Sequence, residues 1–229
     1  MNRISSGIKG LDSLTQGGFP ERSVHLLRGP TGSAKTLLGL QFIQGGLEKG
    51  DKGLFLSIEE SRENMRRAIE SFDLEWEPYE TGSSYLVDYG ELRRGDLEDS
   101  LIGFKELQEF LVNFLSGDDI DRLVIDSISA VSLYYSSPEK LRRSLFEFCR
   151  FLKEKDLVTL LITESDQSRL GVEGFVTDSV INLDYEDFEG EFRRSIKISK
   201  MRFTKHDPYK HPFLILDGGI EISVQEILR

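Results

Sequence analysis

The sequence predicts an α/β fold: a mainly parallel central sheet with helices on both faces, then a C-terminal antiparallel β extension. Three observations predict it. Apolar runs at 24–27, 53–58, 85–89, 123–125 and 158–163 are too short for helices and mostly rich in Val, Ile, Leu or Phe, as strands buried on both faces require. Helix-like stretches alternate with these runs. The last third changes character, pairing apolar runs across turn residues.

The helical stretches fall at 36–47, 62–72, 99–115 and 138–153. In the last, Ser136-Ser137 offers a cap and Pro138 opens the first turn. Leu141, Leu145, Phe148 and Leu152 then recur at helical spacing. The runs 175–184 and 192–199, joined near Glu189-Gly190, predict a β-hairpin. The runs 213–216 and 220–224 flank Asp217-Gly218-Gly219, a second turn. No repeat or low-complexity linker interrupts the chain, so residues 1–229 are expected to form one domain.

Composition narrows the function classes. A net charge of −11 makes the chain a poor general binder of nucleic acid. No apolar run approaches the roughly 18 residues that span a bilayer. The start, MNRISSGIKG, lacks the apolar core of a secretory signal, so a cytoplasmic protein is expected. The single cysteine, Cys149, reads as a small core residue. His25 and His211 are scattered and suggest no structural metal. Charge is uneven, however. Asp184, Glu186, Asp187, Glu189 and Glu191 cluster, and seven Lys/Arg follow between Arg193 and Lys210. The acidic stretch reads as a solvated hairpin face, or as a surface for a basic neighbour.

The strongest motif is Gly29-Pro30-Thr31-Gly32-Ser33-Ala34-Lys35-Thr36, which follows one predicted strand and opens a predicted helix. That is the context of a phosphate-binding P-loop. The loop backbone of Pro30, Thr31, Gly32, Ser33, Ala34, Lys35, Thr36 and Leu37 would surround phosphate oxygens at a helix N-terminus, with N–H donors from Thr31 onward. Lys35 would reach the β- and γ-phosphates of ATP or ADP, and Thr36 would hold Mg²⁺ through its hydroxyl. Ala34 stands where Gly is usual, with nucleotide affinity and turnover expected to suffer. The Ala-Lys-Thr ending itself resembles the loops of MCM helicases and MoxR-type ATPases.

Two further features fit. Leu123-Val124-Ile125-Asp126 is an apolar strand ending in a carboxylate, suited to Mg²⁺ as a Walker B aspartate. Glu59 and Glu60 follow the strand at 53–58. They read either as the base that activates water or as acids favoured at the N-terminus of the next helix.

The ordered set then resembles a known family. Ile4-Ser5-Ser6-Gly7-Ile8-Lys9-Gly10-Leu11-Asp12, Gly17-Gly18-Phe19-Pro20, the P-loop, Ser57-Ile58-Glu59-Glu60, Val124-Ile125-Asp126-Ser127, and Lys200-Met201-Arg202 through His206 are similar to KaiC-like proteins of the RecA superfamily. The likeness runs from about residue 4 to about residue 221. It implies a RecA-like core and a Mg²⁺-dependent ATPase, with nucleotide at the subunit interfaces of a homo-oligomer, a hexamer by likeness. It implies that the Glu pair, Glu59 first, supplies the base. It also implies that Lys200 and Arg202, with His206 helping, act on the γ-phosphate of the neighbouring subunit. Phe203 departs from the small Gly usual after Lys-x-Arg. Gly174-Phe175 stands where the clock protein KaiC autophosphorylates, so no autokinase is expected.

Two other readings stay open beside hydrolysis. One is a nucleotide-gated scaffold with little turnover that recruits an unknown protein partner. The other is a DNA-recombination accessory resembling RadA paralogues, in which Tyr134 and Tyr135 would stack on bases. The negative charge speaks against the second.

Overall fold

All five predicted apolar runs lie side by side in one nine-stranded sheet. The computed structural model describes residues 2–75, 82–92, 102–164, 171–188 and 190–228. In chain order the elements are β1 (Arg3–Ile4), α1 (Leu11–Leu14), β2 (Phe19–Pro20), β3 (Val24–Gly29), α2 (Lys35–Leu47), β4 (Gly53–Ser57), α3 (Arg62–Ser71), β5 (Ser84–Asp88), α4 (Tyr89–Leu92), α5 (Phe104–Leu115), β6 (Arg122–Asp126), α6 (Ile128–Ser132), α7 (Pro138–Lys153), β7 (Val158–Glu164), α8 (Val172–Val176), β8 (Ser179–Phe188), β9 (Glu191–Met201), β10 (Lys210–Leu216) and β11 (Gly219–Ile222).

The strand order is β11-β10-β9-β8-β3-β7-β6-β4-β5. From β8 to β5 every pairing is parallel, and β9, β10 and β11 add antiparallel ladders at one edge. β1 and β2 form a small separate ribbon. One face of the sheet packs against α1, α2 and α3, through residues such as Leu11, Leu38 and Met65. The other packs against α5, α6 and α7, through Leu107, Ile128, Leu145, Phe148 and Leu152. Burying each such α7 side chain is worth about 1.5–3 kcal/mol against leaving it exposed.

Local signals explain the boundaries. Ser137 accepts a hydrogen bond from Lys140 N at 3.3 Å, and α7 opens at Pro138 as its sequence predicts. Ser61 caps α3 by accepting from Asn64 N at 3.3 Å. The helix expected at 99–115 begins only at Phe104. Residues 99–101 lie outside the described ones, Ile102 and Gly103 are not helical, and Glu106 closes the N-terminus by accepting from Gly103 N at 3.1 Å. The predicted hairpin and second turn are both present, as β8–β9 and β10–β11.

One boundary is corrected. Phe175 was expected in a strand but lies in α8, and the strand starts at Ser179. The short helix is held from afar. Lys200 Nζ donates to the carbonyls of Gly174 and Thr177, and Arg202 Nη2 donates to that of Phe175. These cations satisfy the carbonyls that a helix C-terminus leaves open.

Candidate nucleotide site at the phosphate loop

β3 ends at Gly29, and the chain must turn sharply into α2. Gly29 has no room for a side chain: a Cβ there would stand 2.3 Å from Leu183 O on β8. Pro30 O then gathers three donors. Ser33 N, Ser33 Oγ and Lys35 Nζ approach it at 3.3, 2.7 and 2.9 Å. Gly32, at φ +80°, faces open space. Ala34 is the N-cap of α2 and also left-handed, at φ +72°. The N–H groups of Lys35, Thr36 and Leu37 belong to the first helical turn, where no preceding carbonyl is in reach. The Leu37 side chain itself packs in the core.

The mouth of this loop is a cleft of about 350 Å³. Thr36 Oγ1 donates to Asp126 Oδ2 at 2.7 Å, bringing the hydroxyl of α2 onto the carboxylate that ends β6. Burial pushes the Asp126 carboxyl above the ordinary range, with the Thr36 hydroxyl and Lys35 opposing. Burial likewise pushes the Lys35 ammonium down, opposed by Glu164 and Asp126.

Glu59 and Glu60 both border the cleft, but their partners differ. Ser127, next to Asp126, donates to Glu59 Oε2 at 2.6 Å. The Glu60 carboxylate accepts from Asn64 Nδ2 at 3.1 Å, on the first turn of α3. The two sequence-level readings of the pair therefore divide between them. Glu59 is tied to the residue that follows Asp126, and Glu60 to the start of α3.

Two contributors escaped the sequence. Glu164, at the end of β7, accepts from Thr31 Oγ1 at 3.2 Å and stands 4.0 Å from Lys35 Nζ. A strand-end position after a plain apolar run was its only signal. Arg194, on β9, donates to Gly32 O at 3.4 Å, and its guanidinium lies 4.5 Å from the centre of the Tyr185 ring. Phe192 packs 5.4 Å from the same ring. Together they make a patch of tilted rings and a guanidinium beside the loop. Nothing local in the sequence marks it, because β8 and β9 reach the loop only through sheet order.

Lys200, Arg202 and His206 are not brought to this loop. Lys200 stands opposite Val180 on the sheet face packed by α7, whereas the loop and α2 lie over the other face. Arg202 N donates to Asp178 O, and Asp178 N to Val24 O, which sets Arg202 level with the start of β3. The phosphate loop begins beyond its end, about 17 Å away at some 3.3 Å per residue. His206 follows on the same loop, its Nδ1 3.1 Å from Asp207 O. Burial, then the nearby Arg202, pushes the Lys200 ammonium down.

Some of the clustered charges meet within the chain. Lys210 reaches Asp184 at 3.1 Å and also Glu186, while Arg193 pairs with Glu191 and Glu226. This leaves less of the basic strip to track a phosphate backbone.

The chain is similar to known proteins. The family described as "ATPase: KaiC" matches residues 4–227. The chain belongs to the KaiC ATPase family. A UPF0273 protein of Thermotoga maritima is 30% identical over 99% of this chain and 98% of its own length. A UPF0273 protein of Pyrobaculum aerophilum is 34% identical over 99% of this chain and 84% of its own. The crystal structure of the KaiC-like protein PH0186 from Pyrococcus horikoshii superposes with a TM-score of 0.82 at 35% identity, covering 97% of this chain and 99% of that one. The RecA-type core expected from the sequence is therefore present, with its antiparallel extension. Among the described residues, no helix of this KaiC-family chain is long and apolar enough to cross a membrane.

Proposed function

We propose that this chain binds and hydrolyses ATP with Mg²⁺, each nucleotide lying between two copies in a homo-oligomeric ring, hexameric by likeness to the family. The observation that carries the reading is the meeting of Thr36 and Asp126 at 2.7 Å in the mouth of the loop. A hydroxyl and a carboxylate are the hard oxygens Mg²⁺ takes, so Thr36 and Asp126 would hold it. When bound, the metal neutralises charge building on the β- and γ-oxygens.

The chain's own residues do the rest. Loop N–H groups from Thr31 to Leu37 hold phosphate oxygens, and Lys35 swings its ammonium from Pro30 O onto the β,γ-bridge. Glu59 orients the attacking water and accepts its proton. Lys200 and Arg202, with His206 beside them, work on the γ-phosphate of the adjacent copy. Their place across the sheet from their own loop supports action in trans. A cation supplied that way stabilises charge only once the contact forms.

Mixing two inactive variants tests the scheme. Arg202→Ala and Glu59→Gln should each bind ATP but lose turnover by about 10³-fold. A mixed oligomer contains sites with an intact Glu59 facing an intact Arg202, so partial recovery is expected. Absence of recovery refutes trans action. Failure of the unmodified chain to bind Mg·ATP in calorimetry refutes the whole reading.

A further inference from the structure

Phe203 is 77% exposed, more than any other described large apolar side chain. Its backbone is also left-handed, at φ +59°, where glycine is favoured and a bulky residue is strained. The strain is imposed by the fold. Arg3 Nη2 donates to Phe203 O at 3.3 Å and to Thr204 Oγ1 at 2.9 Å, and Lys205 N donates to Gln16 Oε1 at 3.0 Å. The N-terminal segment thus fixes this loop in place, and the ring is held out into solvent. It does not stand alone. Phe175, 56% exposed, adjoins through the Arg202 contact to its carbonyl, and the Arg142 guanidinium lies 5.7 Å from its ring. The patch is therefore apolar and cationic together.

We propose that Phe203 is the apolar anchor by which this edge docks on the phosphate-loop edge of a second copy of the chain. The inference rests on the trans reading above and adds to it the residue that seats the contact. Charge complementarity selects the occupant. Arg202 and Lys205 adjoin Phe203 along the chain, both exposed although Arg202 also reaches Asp178 at 3.5 Å, and the opposite edge presents Glu59, Glu60, Asp126 and Glu164 around its cleft. A rigid aromatic ring in the middle of a charged rim is the arrangement that concentrates binding energy at an interface. Its backbone is already held by Arg3, so little main-chain freedom is lost on docking.

The test compares Phe203→Gly, Phe203→Leu and Leu214→Ala by sedimentation velocity with Mg·ATP over a range of protein concentrations, beside binding of a fluorescent ATP analogue. Leu214 is a control, 62% exposed on β10. Glycine suits φ +59°, so Phe203→Gly should melt, as dilute nucleotide-free protein, at or above the temperature of the unmodified chain. It should bind the analogue yet assemble only at ten-fold higher concentration or more. Phe203→Leu should recover part of the loss, and Leu214→Ala should assemble normally. Assembly of Phe203→Gly at the unmodified concentration overturns the anchor and leaves trans action standing, as does equal weakening by Leu214→Ala. An unmodified chain that binds the analogue but stays monomeric overturns both.

Discussion

Ala34 and Phe203 share a feature that residue type alone conceals: both have a positive φ, the region glycine favours. A left-handed backbone costs an L residue about 1–2 kcal/mol. For Ala34 the sequence points to weaker nucleotide binding, and the structure adds conformational strain. Ala34→Gly removes the strain but frees the unfolded chain, which takes back about 0.5–1 kcal/mol. The expected net gain is up to about 1.5 kcal/mol, read from urea unfolding without nucleotide. A clear loss of stability would mean that the alanine is unstrained. At this scale the loop, Asp126 and Glu59 were legible, because each sits in a local motif. Glu164 and Arg194 were not, since each matters only through a partner more than a hundred residues away.

Among the elements, the parallel strands were legible because burial on both faces leaves unbroken apolar runs. α8 was hidden for the opposite reason. Five residues carry too little periodicity, and its helical form depends on Lys200 and Arg202 arriving from β9 and the residue after it. The junction of β3 with β8 has its own chemistry. His25 is fully buried, stacked 4.2 Å from Phe19, with its two ring nitrogens each 2.6 Å from the hydroxyls of Ser23 and Ser179. Burial pushes the ring down to about 3 from 6.5, against the pull of Asp178. The folded state therefore keeps a neutral ring, while the unfolded chain takes up a proton below about 6.5. His25 leaves stability intact above that pH and erodes it as pH falls toward 3, by about 1.4 kcal/mol per unit. Urea unfolding at pH 7 and pH 5 should show a loss that shrinks by about 2 kcal/mol in His25→Gln. The same pH dependence in both proteins would remove His25 as the cause.

For the whole molecule, the spatial order of the strands decides what the chain can do alone. Lys200 and Arg202 lie away from the phosphate loop of their own chain. Turnover per chain should then fall on dilution while ATP binding persists. Raising salt should shift that fall to higher concentration, because the two edges carry opposite charge. Steady-state rates across protein concentration, at low and high ionic strength, check this. A rate per chain that ignores concentration throughout would show each copy to be self-sufficient.

Opposite placement of the two edges also has a geometric corollary. A joint that mates one end of a molecule with the other end of its twin is directional, so two copies cannot satisfy each other mutually. Such a joint either closes on itself after a set number of copies or runs on as a filament. Every incomplete chain of copies would carry one loop without a visiting arginine and one arginine with nothing to visit. Closure alone would give all subunits the same surroundings, so the angle of the joint sets how many nucleotides the assembly works on at once.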